Sequence, residues 1–445
     1  MTDTSTSKPR RFSDILAVYL KARVLVVMFL GFSSGLPLAL SGSTLLVWMR
    51  EAGVDLGTIG LFALVGTPYT VKFLWAPLID ALDVPLLSRL LGRRRAWLVL
   101  SQLLLIAAIV FLAFTNPARA PALVAFGALL VATASATQDI VIDALRIDTL
   151  DESEQAAGMA SYVAAYRIGM LASTVGALYV VTGFEKGLGF SRDAAWTAGY
   201  VVMAALVVIG IVTALLATKP ESAAIEESKK ENGLARVWHA ALGAFSEFLS
   251  RDMALVALAF VILYKFCDAF AGTMTAPFVI DLGFDRTDYA NIVKGVGLAA
   301  TLIGGFAGGA LARAVPMTTA LWIGAILQSV SNLVFAWLAL IGTSTWALSG
   351  AIIAENFTGA IGTVVFVAYL SSLCKNPLHV ATQFALLTAL AAVGRTYLSA
   401  GAGYVAQATG WPMFFVLSAL VALPSLILLA WLQQRGHFEA LEKAG

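Results

Sequence analysis

WMREAGVDLGTIGLFALVG, Trp48–Gly66, returns as FVIDLGFDRTDYANIVKGVG, Phe278–Gly297, and this echo decides how the chain is built. Each copy leaves an apolar run, turns on a Gly-x-Asp triplet (Gly53 to Asp55, Gly283 to Asp285) and enters another apolar run. A turn that recurs after the first apolar run of each half points to duplication, two similar halves laid out in parallel.

Working outward from the two turns, apolar runs long enough to cross a bilayer fall at Val24–Trp48, Thr58–Asp80, Ala96–Thr115, Pro121–Leu145, Ala157–Thr182 and Ala194–Ala217. They resume at Ala254–Pro277, Tyr289–Ala312, Thr318–Ile341, Trp346–Leu373, Val380–Ala406 and Trp411–Leu432. A crossing helix needs about 20 mainly apolar residues, so these are read as spans 1 to 12. Trp48, Trp97, Trp196, Trp346, Trp411 and Trp431 stand at their ends, where an aromatic belt would meet the headgroups. Composition agrees: 59% of the residues are apolar and 13% charged, against about 45–50% and about 25% in soluble domains. The reading is an all-α membrane protein, twelve transmembrane helices in two six-helix halves.

The expected order is a cytoplasmic N-terminal segment 1–23, a first bundle 24–217, a cytoplasmic linker 218–251, a second bundle 252–434 and a cytoplasmic tail 435–445. The polar, basic N-terminus leads into an apolar run with no small-residue cleavage site after it, as in a retained first helix. The linker opens with KPESAAIEESKKENG and then sets Leu234, Val237, Trp238, Leu242, Phe245 and Leu249 at helical spacing. A helix on the membrane surface and a solvated linker both fit that segment. Nineteen Lys and Arg fall on the side of both termini and five on the other, which places both termini in the cytoplasm. A net charge of +2 gives no argument for nucleic acid, and Cys267 and Cys374 lie in or beside apolar runs as reduced packing residues. His239, His379 and His437 are scattered, so neither a metal nor a cofactor is implied.

Nine ionisable residues lie inside the spans: Lys72, Asp139, Asp143, Arg167, Lys265, Asp268, Lys294, Glu355 and Arg395. Facing lipid near mid-depth they would cost about 2.5–3.5 kcal/mol each, so they must face water, one another or a ligand. They occupy spans 2, 4, 5, 7, 8, 10 and 11 and avoid 3, 6, 9 and 12. That sorting calls for a polar central cavity, with Gln138, Asn291, Asn356 and Gln383 extending its lining. Lys265 and Asp268, three residues apart, share a helical face, as do Asp139 and Asp143 at four. Either set reads as self-neutralising, the second with Lys72 or Arg146, or as holding a carboxylate that carries a proton. Asp139 or Asp143 is the first choice for that role, then Asp268, then Glu355. Five bases against four acids favour an anionic or zwitterionic ligand. Gly35 and Pro37 are expected to break span 1. Gly304, Gly305, Gly308 and Gly309 are expected to give span 8 two overlapping small-xxx-small contacts.

Six segments carry a more specific likeness: LGFSSGLPLALSGSTLLVWM from Leu30, KFLWAPLID from Lys72, SATQDIVIDALRIDTL from Ser135, YRIGMLAS from Tyr166, LYKFCDAFA from Leu263 and ATQFALLTALAAVGR from Ala381. Together they resemble the muropeptide permeases, the AmpG family of the major facilitator superfamily. The resemblance runs from span 1 to span 12. It implies proton-driven import of 1,6-anhydro-muropeptides, N-acetylglucosamine linked to anhydro-N-acetylmuramic acid with its peptide, for cell-wall recycling and, in bacteria that have it, β-lactamase induction. The matching positions are Asp139, Asp143, Arg167, Lys265 and Asp268, with Lys72, Gln138, Lys294, Asn356, Gln383 and Arg395 as further candidates for the ligand. Asp80 and the run Arg93, Arg94, Arg95 read as positive-inside anchoring or as the superfamily's cytoplasmic latch between halves, here on a loop longer than usual. The partners are then a small anionic sugar-peptide, protons and the lipid bilayer, and the protein acts as a monomer. A related importer of another bulky anion, such as acetyl-CoA, is the alternative. A membrane enzyme would need a catalytic cluster at the interface, and a sensor a soluble domain; the sequence offers neither.

Overall fold

The computed structural model describes residues 18–217, 253–373 and 380–442, and every described element is helical. Among them ten helices are long and apolar enough to cross a membrane: Ala22–Glu51, Arg93–Ala113, Pro121–Arg146, Ala157–Gly187, Arg192–Leu216, Ala254–Asp281, Arg286–Ala314, Met317–Ile341, Thr345–Leu373 and Trp411–Gln434. Spans 2 and 11 complete the twelve as segmented crossings. Span 2 passes through Leu56–Leu61, Phe62–Gly66, Thr67–Val71, Lys72–Leu74 and Ala76–Ala81, and span 11 through Val380–Tyr397, Leu398–Gly401 and Ala402–Thr409. Pro68 and Pro77 lack the N–H that an unbroken helix would use, and tighter turns carry the chain between the pieces. The expected surface helix from Leu234 to Leu249 lies outside the described residues, as does Cys374.

The two Gly-x-Asp turns have the same hydrogen bonds. Val54 N–H reaches Met49 O at 3.0 Å and Gly53 N–H reaches Arg50 O at 3.0 Å; Phe284 to Val279 (3.3 Å) and Gly283 to Ile280 (3.0 Å) repeat them. This is a Schellman ending, which needs a left-handed residue after the helix, and Gly53 (φ 81°) and Gly283 (φ 93°) supply it. Asp55 then caps Thr58 N–H, and Asp285 caps Thr287 and Asp288. Burial works against the Asp285 carboxylate, yet hydrogen bonds from Thr287, Asp288 N–H and Lys186 hold its pKa down at about 2.

Span 1 departs from expectation. Its helix runs through Gly35 and Pro37 and stops five residues later than Gly35, at Leu40, resuming at Ser43. Gly35 instead permits contact: a Cβ there would stand 2.1 Å from Tyr166 O on span 5. Gly31 and Gly169 meet Tyr162 O and Phe32 O in the same way, so spans 1 and 5 lie backbone on backbone. On span 8 only one of the two expected stripes is used. Gly304 and Gly308 press on Phe357 and Ile361 of span 10, whereas Gly305 and Gly309 meet nothing within 4 Å.

Closely packed neighbours of spans 3, 6, 9 and 12 belong to their own half. Contacts across the halves run between spans 1 and 7, 2 and 11, and 5 and 8, mainly through the parts nearest the 52–55 and 282–285 turns. We call this the closed end. Gly60 and Gly403 bring spans 2 and 11 together there, since a Cβ on Gly403 would stand 1.8 Å from Leu56 O.

Candidate functional site

Between the halves lies a cavity of about 580 Å³, lined by spans 1, 2, 5, 7, 8, 10 and 11. It forms where the facing helices lose regularity. Span 1 breaks at Ser41 and Gly42, span 2 is in tight turns from Phe62 to Gly66, and span 5 widens to a π-helix at Ala172–Gly176. Span 8, which packs against span 5 across the halves, does the same at Tyr289–Val296. Such π-segments recur at functional sites because they re-aim side chains.

The ionisable groups on the cavity wall are Arg167 from the first half and Lys294, Glu355 and Arg395 from the second. Three bases therefore face one acid. No ion pair joins these four to any described residue. Lys294 lies over the Tyr289 ring, 5.5 Å from its centre. Asn356 Nδ2 donates to Ile352 O (3.0 Å) and, at 3.4 Å, to Glu355, while its Oδ1 accepts from Thr301 Oγ1 at 3.1 Å. Thr70 and Thr396 touch across the halves at 3.5 Å beside Arg395.

The other expected residues stand apart from this wall. Lys265 Nζ pairs with Asp268 at 2.7 Å and donates to Gln328 Oε1 (2.7 Å) and Gly359 O (3.3 Å), tying spans 7, 9 and 10. Gln138 is fully buried and donates to Ser33 O at 3.2 Å, an internal tie of the first half that does not line the cavity. Asp139 accepts from Ser34 Oγ at 2.5 Å, and Tyr162 OH is 2.9 Å from that same oxygen. Asp143, half exposed, lies 3.8 Å from Arg146 on its own helix. The positive charge acting on Asp139 is Lys72. Asn291 accepts from Tyr179 OH at 2.7 Å where spans 8 and 5 meet. Of the expected latch, Arg93 is 3.9 Å from Asp83, Arg94 is 3.1 Å from Asp148, and Arg95 donates to Ala214 O at 2.9 Å, all in the first half. The side chains of Asp80 and Gln383 lie outside the described ones.

A second cluster, whose bases Arg50, Lys186 and Arg286 are three of the five Lys and Arg opposite the termini, seals the closed end. Arg286 grips Glu51 through Nε (2.9 Å) and a second nitrogen (2.8 Å), and also reaches Glu185 at 2.7 Å. Arg50 holds both oxygens of Asp281, and Lys186 meets Asp285 at 3.2 Å. Each of these pairs joins one half to the other. Glu51 and Asp281 occupy equivalent places, two residues before the turn glycines, and that repeated acid was the available signal. Indole N–H groups complete the cluster: Trp196 donates to Glu51 at 3.0 Å and Trp411 to Asp281 at 3.1 Å. Trp48 and Trp196 are thus not belt residues. Both are buried and stacked 5.5 Å apart, because an indole enclosed by apolar groups needs an acceptor and Glu51 provides it.

Residues 27–395 match the sequence model of the Major Facilitator Superfamily. The chain belongs to that superfamily. Among its relatives, the Anhydromuropeptide permease of Escherichia coli (strain K12) is 39% identical over 94% of this chain and 81% of that protein. The Putative transporter AmpG 4 of Rickettsia felis (strain ATCC VR-1525 / URRWXCal2) is 34% identical over 95% of this chain and 99% of its own. Solved structures carry the same fold at low identity. The nucleoside transporter NupG superposes with a TM-score of 0.67 at 14% identity, covering 95% of this chain and all of that one. A D-xylose-proton symporter gives 0.62 at 15%, covering 92% and 97%. Within this major facilitator fold, the chain has a cationic chamber between its halves and an ion-paired seal above it.

Proposed function

We propose that this transporter imports anhydro-muropeptides (GlcNAc-1,6-anhydro-MurNAc with or without its peptide) from the periplasm, moving protons inward with them. Both termini face the cytoplasm of a bacterial inner membrane, the closed end faces the periplasm, and the protein works as a monomer. The observation that carries the reading is the cavity wall, with Arg167, Lys294 and Arg395 against Glu355 alone. Such a chamber attracts anions. Its volume falls within the range of about 300–1,000 Å³ typical of small-molecule sites. The likeness to an anhydromuropeptide permease over nearly the whole chain supports the substrate class.

Asp143 and Asp268 each lie beside a base, Arg146 and Lys265. Asp139 and Glu355 are free of any ion pair with a described residue and are the proposed proton carriers. Asp80 with Arg93 to Arg95 is proposed to latch the cytoplasmic ends when the closed end opens. Imported material feeds cell-wall recycling and, where the bacterium has the pathway, β-lactamase induction. The test is uptake of labelled anhydro-muropeptide into vesicles holding this protein, with and without an inward proton gradient. Accumulation only with the gradient is expected; acetyl-CoA uptake in place of muropeptide uptake overturns the reading.

A further inference from the structure

The loop between spans 2 and 3, opposite the closed end, is rich in leucine for a connection: LDVPLLSRLLG, Leu82–Gly92. It is nevertheless folded. Val84 is buried, its N–H donates to Ser88 Oγ at 2.8 Å, and Ser88 N–H returns to Val84 O at 3.0 Å. Trp97 of span 3 donates its indole N–H to Leu82 O at 2.7 Å, and Leu91 packs on the same apolar cluster as Trp97. Leu87 N–H reaches Pro85 O at 2.8 Å, which makes Leu86 the centre of a γ-turn at φ 64°, ψ −51°. A γ-turn of positive φ is rare and strained for a residue with a side chain. Its outcome is an outward face of three leucines. Leu82, Leu86 and Leu90 are 53%, 76% and 72% exposed, with the exposed Arg89 among them.

We propose that this face docks into the surface of the lipid leaflet at that end, with its three leucines at the acyl boundary and Arg89 on an anionic headgroup. The inference is independent of what the cavity carries. A glycine at position 86 would relieve the turn, so a leucine there has a use only where its side chain meets an apolar phase. Leucines with an arginine among them are the composition of a segment that lies in the membrane interface. Half-buried Trp97, with its ring on apolar groups and its N–H on the loop, suits the same depth. The loop leads into span 3, whose closely packed neighbours all belong to the first half and whose Leu103 and Leu104 are exposed. The leucine face thus continues the outer surface of that half. Arg93, Arg94 and Arg95 are engaged on Asp83, Asp148 and Ala214 O. Arg89 makes no ion pair with a described residue, and an arginine at a membrane surface attracts anionic lipid.

The test places an environment-sensitive NBD probe on Leu86→Cys or Leu90→Cys in the full chain, with Cys267→Ala and Cys374→Ala, in nanodiscs of phosphatidylcholine and phosphatidylglycerol. Both probe positions are exposed, so substitution there leaves the core untouched. Chain-labelled doxyl lipids should quench both probes, at a depth of about 5–10 Å into the headgroup boundary, and aqueous iodide should not. Doxyl phosphatidylglycerol should quench the Leu90→Cys probe more than doxyl phosphatidylcholine does. Arg89→Gln should lower that preference about fivefold, the effect of one arginine at the surface. Leu86→Gly should fold at least as well as its parent and leave the Leu90→Cys probe shallower, which separates a lost anchor from misfolding. Quenching by iodide and not by lipid overturns the proposal and puts the face in water. Protection from both quenchers also overturns it, and puts the face against the second half. Equal quenching by the two lipids, unchanged in Arg89→Gln, overturns the anionic-headgroup assignment.

Discussion

Glu51 and Arg286 are, at side-chain exposures of 11% and 7%, the most enclosed ion pair at the closed end. Removing one member of a buried pair strands the other, at a cost of about 3–5 kcal/mol. Arg286 also contacts Glu185 and lies 5.4 Å over the Trp196 ring, so its loss would leave two acids and an indole without their cation. We therefore expect Arg286→Ala to open the closed end, read as faster reaction of an introduced Val54→Cys with a membrane-impermeant maleimide. An unchanged labelling rate would show that Arg50 and Asp281 hold the seal by themselves. In the sequence Arg286 is indistinguishable from any other loop arginine. Its partner Glu51 is more than two hundred positions away and becomes a neighbour only when the halves meet.

At the scale of the helix, the glycines of spans 8 and 11 sort by what their missing side chains would strike. A methyl at Gly403 would stand 1.8 Å from Leu56 O, and backbone cannot yield as a flexible side chain does. Gly403→Ala should thus push spans 2 and 11 apart and weaken the closed end, again seen by labelling at Val54→Cys. Gly304→Val should lower the melting temperature of the purified protein through its clash with Phe357 O, 2.3 Å from the ideal Cβ. Gly305→Ala, with open space around it, should leave that temperature unchanged or raise it, since Ala is favoured over Gly in a helix by about 0.5–1 kcal/mol. Equal effects at Gly304 and Gly305 would mean that both faces of span 8 are packed. Spacing alone could not choose between the two stripes, because residues one apart in sequence offer the same small-xxx-small pattern on different faces.

Across the whole molecule, the proposed proton-coupled import requires that the two halves exchange which end is shut, and that a proton is bound in one arrangement and released in the other. Asp139 sits with Ser34 and Tyr162 inside the first half, and Glu355 stands on the cavity wall in the second. Asp139→Asn and Glu355→Gln should each abolish gradient-driven accumulation while ligand exchange across the membrane continues. Exchange is the informative control, since it needs the cavity and the moving halves but no net proton flow. Should both variants still concentrate substrate, coupling lies with Asp143 or Asp268 despite the bases beside them.

The number of crossings, their limits to within a few residues and the duplicated turns were legible in the chain itself. Each depends on local quantities: a run of apolar residues matched to bilayer thickness, or a glycine at a left-handed position. The cost of intramembrane charge was legible too, and it singled out nine residues, of which Arg167, Lys294, Glu355 and Arg395 stand on the cavity wall. What each charge faces was not. Gln138 and Lys265 looked equally suited to meet a ligand, yet they tie helices within a half. Whether a polar side chain meets a cavity or a neighbouring backbone depends on how helices rotate against each other, and glycine contacts such as Gly35 on Tyr166 set that rotation. The seal at the closed end likewise arises between residues distant in sequence, so only the tertiary structure could assemble it.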